Sequence, residues 1–366
     1  CRAFGDQADG FADAEGVGAV LLKPLSQAIE DGDRIYGVIR GSAINHGGKT
    51  NGYTVPNPTA QGEAITEALA QSGINARAIS YIEAHGTGTS LGDPIEIAGL
   101  SKAFAQHTSD KQYCAIGSAK SNIGHAESAA GIAGLTKVLL QMRHKTLVKS
   151  LHSEVLNPHI EFKATPFVVQ QSTQAWERPV IDGRESPRIA GLSSFGAGGS
   201  NAHLIIEEYE DHRPGTANAG PVVVVLSAKN EERLKEQAKR LQEALSDKAD
   251  EDLADIAYTL QVGREAMEAR LACIATSVEE LSEKLAAYLE GKGADELYKG
   301  EVKRNKEALG VFSGDDDSRE LLDKWLSRGK LAKVAEAWSK GLSLDWTRLS
   351  GQEGQPLPKR IGLPTY

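Results

Sequence analysis

Short apolar runs, each closed by Gly, Pro or Asn, alternate with segments of helical period along the first 208 residues. Val17–Leu22, Ile35–Ile39, Tyr81–Ala84, Cys114–Ser118, Phe167–Val169, Ile189–Ser194 and Ala202–Ile206 read as strands. Gln61–Ala70, Ile95–Phe104 and Ser128–Met142 read as helices, the middle one with Asp93 as N-cap and Pro94 in the first helical position. Strands that alternate with helices imply an α/β layered fold with a largely buried sheet. The pattern breaks at Tyr209–Gly220, where polar residues, Pro and Gly replace the apolar rhythm and mark a linker. Beyond it a smaller α/β region begins. Val222–Ser227 and Leu271–Thr276 read as strands, with Glu231–Leu245, Leu253–Leu260 and Val278–Leu289 as helices. Leu309–Phe312 adds a candidate strand and Glu320–Trp338 a helix, while Pro356–Tyr366 has no period and reads as an extended strap. The boundaries that follow are 1–208, a linker at 209–220, a small α/β domain at 221–305, and a helix plus strap at 306–366.

Composition narrows the function classes. The chain has 366 residues, 40% hydrophobic and 25% charged, an ordinary globular balance with length for two or three domains. A net charge of −9, with no basic face, argues against a nucleic-acid surface. The longest apolar run, Val222–Leu226, is strand-sized and far short of a membrane span. Three scattered cysteines, Cys1, Cys114 and Cys273, give neither a disulfide framework nor a CxxC metal site, which fits a reducing cytoplasm. The start at Cys1, without methionine or signal peptide, reads as something other than a translation start.

Three segments place polar, reactive residues among glycines directly after apolar strands. They are Glu83-Ala84-His85-Gly86-Thr87-Gly88-Thr89, Lys120-Ser121-Asn122-Ile123-Gly124-His125, and Ser194-Phe195-Gly196-Ala197-Gly198-Gly199-Ser200-Asn201. Taken singly, each has a plain reading: a hydrogen-bonded histidine at a strand end, or a tight hairpin that needs positive φ. The glycine turn leads into a strand and not a helix, so a dinucleotide fingerprint fails on context. His85, His125 and His203 lack the paired spacing of a zinc site, and neither a P-loop nor a GxSxG elbow occurs.

Together, and in this order, the three segments resemble the motifs of the β-ketoacyl synthase family in its modular polyketide synthase form. EAHGTGTSLGDPIE resembles the first histidine motif, KSNIGHAESAAG the second, and SSFGAGGSNAH the C-terminal glycine loop. Cys1–Lys23 is similar to the opening of the C-terminal half of that thiolase-like fold, and the resemblance covers about residues 1–208. It implies decarboxylative Claisen condensation, in which a malonyl unit on a carrier protein loses carbon dioxide and attacks an acyl-cysteine thioester. By the same resemblance, His85 and His125 are the two imidazoles that stabilise the enolate oxygen. Lys120 supports the second histidine with Glu127 as its ion-pair partner, a pair that could equally be a structural salt bridge. Thr87 and Thr89 would hold the phosphopantetheine arm. Phe195, with Gly196 beside it, would gate the nucleophile, against a reading as core packing. Asn201 would brace the glycine turn.

Two departures from the family pattern matter. None of the three cysteines has the small-residue context of the family nucleophile, so all three read as structural and the nucleophile is expected upstream of this chain. Ala12-Asp13-Ala14-Glu15 stands where the family more often has a Pro-Gly pair. Val222–Lys292 resembles the small α/β linker domain after the synthase, and WSKGLSLDW and RIGLPTY resemble the strap that packs back on it. That arrangement implies malonyl loading by a separate, trans-acting acyltransferase, the alternative being an acyltransferase beyond Tyr366. The resemblance further implies no bound cofactor or metal, substrates carried on acyl carrier proteins, adjacent polyketide synthase domains as partners, and a homodimer. A docking or scaffold segment without a nucleophile is the reading from another class, and a biosynthetic thiolase is disfavoured by the linker.

Overall fold

In the computed structural model the described residues are 1–50, 52, 55–213, 220–246, 248, 252–305, 316–350 and 357–365. They form two compact units, one of residues 1–23 and 35–210, the other of residues 24–34 with those from 211 onward. The stretch Pro24–Arg34, which the sequence pattern leaves inside the first region, therefore groups with the second.

The first unit is a six-stranded mixed sheet between two helical layers. Its strands are β1 (Val38–His46), β2 (Ile79–Glu83), β3 (Cys114–Gly117), β4 (Phe167–Val169), β5 (Ile189–Phe195) and β6 (Ser200–Glu207). They lie in the order β1-β6-β5-β2-β3-β4. The β5–β2–β3–β4 neighbours run parallel, and β6 turns back antiparallel between β5 and β1. Crossover helices α1 (Pro58–Ser72) and α2 (Gly92–Phe104) cover one face, where Ile65, Leu69, Leu100 and Phe104 meet Ile79, Ile82 and Ile116. Helix α4 (Ala130–His144) covers the other, with Leu135, Val138 and Met142 packed on Tyr81, Trp176 and Leu192. Parallel strands joined by crossover helices put their C-terminal ends, and the loops that leave them, on one edge of the sheet.

Local chemistry explains the boundaries. Helix α1 starts where the Asn57 side chain accepts from the Thr59 and Ala60 N–H groups and Pro58 fills the first position, and ends at Gly73 with φ 65°. Asp93 does not cap α2. It lies at the second helical position and turns its carboxylate to the backbone of Phe4 and Gly88, and Leu91 precedes the helix without a side-chain cap. Val17–Leu22 forms no strand: Val17 and Leu21 are 99% and 94% exposed, and no ladder partner lies beside them among the described residues. A strand forms only when its amides find a neighbour. Ile35–Ile39 is displaced too, because the ladder with β6 runs on to His46.

In the second unit, β7 (Val222–Ala228), β8 (Ala269–Ala275) and β9 (Leu297–Glu301) make an antiparallel sheet in that order. The third strand has intermediate burial and no clean alternation, so the sequence pattern passed over it. Helices α5 (Glu231–Ala244), α6 (Leu253–Val262) and α7 (Val278–Leu289) pack Leu234, Leu241, Ile256, Leu281 and Leu285 into one apolar core with Val223 and Leu271. The expected helix Glu320–Trp338 is two, α8 (Asp316–Ser327) and α9 (Leu331–Ser339), broken at Gly329 with φ 61°. The strap, described from residue 357 to 365, is extended along α6: Asp255 accepts from the Lys359 N–H and the Thr259 hydroxyl from the Ile361 N–H. The candidate strand Leu309–Phe312 lies outside the described residues.

Candidate active site

The three motifs leave the C-terminal ends of β2, β3 and β5, and the sheet brings them together. After β2 the chain passes Glu83 and Ala84 into His85, then turns through Gly86 (φ 42°) and Gly88 (φ 74°). A Cβ at Gly86 would stand 2.8 Å from Ser118 Cβ, and one at Gly88 2.7 Å from the Arg2 amide nitrogen, so glycine is required at both. Two acids of α2 pin this loop. Glu96 accepts from the His85 N–H at 2.7 Å and the Gly86 N–H at 2.8 Å. Asp93 accepts from the Phe4 N–H at 2.7 Å and the Gly88 N–H at 3.1 Å. Burial pushes the Glu96 carboxyl up to about 7 and Asp93 up to about 6.

The second motif follows β3 as a short helix, α3 (Lys120–Ile123), which ends at Gly124 with φ 81°. His125 then bonds through its backbone to Ala12 and Ala14, and its ring lies 5.1 Å from Phe11 and 5.3 Å from His85, nearly perpendicular to the latter. The third motif ends β5 at Phe195, whose ring centroid lies 5.8 Å from that of His85. Gly196 and Gly199 close the hairpin to β6, the latter at φ 93°.

The protonation pattern follows from the hydrogen bonds. His85 Nδ1 accepts from the Phe195 N–H at 3.3 Å, and His125 Nδ1 accepts from the Glu127 N–H at 3.1 Å. A backbone N–H can only donate, so both Nδ1 atoms are bare and each neutral ring carries its proton on Nε2. Burial first, then the Lys120 charge, holds His85 well below the ordinary imidazole value; the same two causes lower His125. Two neutral imidazoles thus stand side by side, each with one N–H left to give. Lys120 is buried, and desolvation lowers its ammonium against the opposing pull of Glu96, Glu83, Asp93 and Glu127 in that order. Among the described residues no group of three or more His, Cys, Asp or Glu is placed to hold a metal.

Three family models match the chain: the β-ketoacyl synthase C-terminal domain over residues 36–154, the RhiE-like KS-MAT linker domain over 225–292, and the β-ketoacyl synthase N-terminal domain over 1–28. The polyketide synthases PksM and PksL of Bacillus subtilis are 60% and 57% identical over the whole of this chain. Among solved structures, the ketosynthase from module 6 of the bacillaene synthase of Bacillus subtilis matches the whole chain at 46% identity with a TM-score of 0.87. That from module 1 of the bacillaene synthase of Bacillus amyloliquefaciens does so at 42% and 0.87. The chain belongs to the β-ketoacyl synthase family. It is a ketosynthase C-terminal region, thiolase-like in fold, with a linker domain behind it. It spans 9% and 8% of the two polyketide synthases and 62% of each bacillaene ketosynthase. Cys1–Lys23, read from sequence as the opening of the C-terminal half, falls within the match of residues 1–28 to the N-terminal domain instead.

The ketosynthase fold gathers His85, His125 and Phe195 as the motifs imply. Thr87 and Thr89 sit on the same loop with their hydroxyls 3.3 Å apart, the second also accepting from the Gly92 N–H. Glu127 does not pair with Lys120; no ion pair joins them among the described residues, and the strongest carboxylate field on Lys120 comes from Glu96. Instead the Glu127 backbone N–H fixes the His125 tautomer. Asn201 pairs with Phe195 at the base of the glycine turn, and its side chain donates to Asn45 of β1 at 3.0 Å. Burial pushes the Cys114 thiol up and Cys273 up to about 12, and Cys1 Sγ accepts from the Ala12 N–H at 3.4 Å. Sequence reasoning missed Glu96 and Phe11. Glu96 was visible as the last of three acids in the first motif, but only the helix packing shows that it holds the His85 amide.

Proposed function

We propose that the chain is the histidine-bearing part of an elongating polyketide ketosynthase. The observation that carries this reading is the pair of neutral imidazoles, 5.3 Å apart, each with Nδ1 engaged by a backbone N–H and Nε2–H unspent. Two such donors suit the oxygen of a malonyl thioester. As the carboxylate leaves as carbon dioxide, its bonding pair moves onto the α-carbon and thioester oxygen, and fixed N–H groups that need no reorganisation stabilise that charge. The carbanion then attacks the carbonyl of an acyl-cysteine thioester; a carbon–carbon bond forms and the cysteine leaves as thiolate. A protonated imidazole would also donate, but the Lys120 charge and burial disfavour it.

The nucleophilic cysteine lies, in this reading, on a segment N-terminal to Cys1. Support comes from the match of residues 1–28 to the N-terminal domain, and from the exposed stretch Val17–Leu22, which lacks a covering layer among the described residues. Thr87 and Thr89 position the phosphopantetheine of an acyl carrier protein, and Phe195 with Gly196 lines the way to the nucleophile. Lys120 keeps both imidazoles neutral. No cofactor is bound. The remaining partners are neighbouring synthase domains, a second copy of the ketosynthase, and a trans-acting acyltransferase, in the cytoplasm. The identity with PksM runs through the C-terminal strap, which favours the trans-acting arrangement.

His85→Ala, made in the synthase polypeptide that carries this segment, is the test. Malonyl decarboxylation is expected to fall by roughly 100-fold or more while self-acylation persists. Equal loss of both steps would overturn the assignment. Absence of any acylation in the unmodified synthase would favour a scaffold segment.

A further inference from the structure

We infer that Glu83 is a positioning residue of the condensation site: its carboxylate ties the strand leading to His85 to the loop that opens at Lys120 and ends at His125. The inference rests on the function proposed for His85 and Lys120. Glu83 is 2% exposed, the last residue of β2 and two before His85. Its Oε1 accepts from the Ala119 N–H at 2.6 Å, the amide directly ahead of Lys120. Its Oε2 accepts from the Tyr81 hydroxyl at 2.7 Å and meets the Lys137 ammonium of α4 at 2.8 Å. Lys137 donates in turn to the Tyr81 oxygen at 2.8 Å, so the carboxylate is clamped from three elements. Close approach of α4 is possible because Gly134 offers no side chain; a Cβ there would lie 3.1 Å from Glu83 Cγ.

A structural ion pair would need Lys137 alone. The oxygen facing away from Lys137 instead fixes the Lys120 loop, and Glu83 and Lys120 line one small cavity with Gly124, Ala126, Gly134 and Ser193. Lys120 is 6% exposed and makes no ion pair among the described residues, so the backbone that carries it sets its place. Glu96 and Asp93 hold the His85 loop through backbone amides, and Glu83 holds the Lys120 loop through the Ala119 amide.

The test compares Glu83→Gln and Glu83→Asp in the full synthase, following malonyl decarboxylation and self-acylation, with His85→Ala alongside. Glu83→Asp withdraws from the Ala119 amide and should cut the decarboxylation rate roughly tenfold to a hundredfold, with self-acylation retained. Glu83→Gln keeps the reach and an acceptor oxygen for that amide, so its rate should fall less than that of Glu83→Asp. A Glu83→Asp rate within twofold of the unmodified enzyme, or a deeper loss in Glu83→Gln than in Glu83→Asp, would overturn the inference. So would a parallel fall of both steps with the thermal midpoint. Decarboxylation surviving in His85→Ala would instead overturn the underlying function, whatever Glu83→Gln does.

Discussion

The two units bury charge in different ways. In the second, each buried cation caps carbonyls of its own unit. Arg270 donates to the Trp338 and Leu342 carbonyls at 2.8 and 3.0 Å and stacks on the Trp338 ring at 4.9 Å; Lys284 pairs with Glu280 at 2.7 Å. Every such group ends in a local partner, as expected of charges kept for packing. The ketosynthase unit has such a pair too, Arg188 with Glu208 at 2.8 Å, but it also buries Glu83, Asp93, Glu96, Lys120, His125 and His203, most of them crowded at the strand ends. There the carboxylates hold backbone amides, Lys120 is left without an ion pair among the described residues, and two imidazoles keep unspent donors. The difference separates polar burial that finishes a fold from polar burial that leaves donors at the strand ends, as the proposed function requires.

The largest effect that could break this contrast is His125→Ala, which should lower decarboxylation in the synthase by roughly 100-fold or more, measured as carbon dioxide release. A loss under twofold would place His125 among the structural groups. Next, Arg270→Met removes the donor to the Met267, Trp338 and Leu342 carbonyls and the cation over the Trp338 ring. Chemical denaturation followed by tryptophan fluorescence should show a loss of about 3 kcal/mol, with decarboxylation in the synthase unchanged.

A pH measurement sharpens the comparison further. His203 is wholly buried, held by the Ser193 hydroxyl at 3.1 Å on Nδ1 and by nothing on Nε2 among the described residues, and burial pushes it down to about 3. Its folded value lies below its unfolded one, so the unfolded chain binds the extra proton. Stability should fall as pH drops from about 6.5 toward 3. Over that window the loss should reach a few kcal/mol, and His203→Gln should flatten it in acid titrations of the denaturation midpoint. Glu96 gives the opposite sign. Its folded value of about 7 exceeds 4.5, so its contribution declines as pH rises between those values, and Glu96→Gln should remove that decline. Smallest of all, Glu236→Ala on α5 breaks exposed contacts with Arg233 and Arg240 and should leave the denaturation midpoint unchanged.

Much of the ketosynthase was legible in the order of residues. Phe167–Val169 and Val278–Leu289 have the bounds that the pattern gives, because a short β-branched run and a strong 3.6-residue stripe each depend on nearest neighbours alone. The three motifs were legible too, since His85, Lys120, His125 and Phe195 all follow strands whose parallel order sends their ends to one edge. What failed needed a partner distant in sequence. Val17–Leu22 has a strand's composition and no strand beside it; Glu320–Trp338 has a helix's period and a glycine in the left-handed region.

Within the site the division is the same. Residue types and spacing determined which side chains could do the chemistry. Only the tertiary structure decided that the Phe195 and Glu127 amides face the two Nδ1 atoms, that Asp93 leaves its helix end for Phe4 and Gly88, and that Glu83 reaches the Ala119 amide. The physical reason is that tautomer and charge are set by the partner an atom meets in space, and those partners lie up to 110 residues away along the chain.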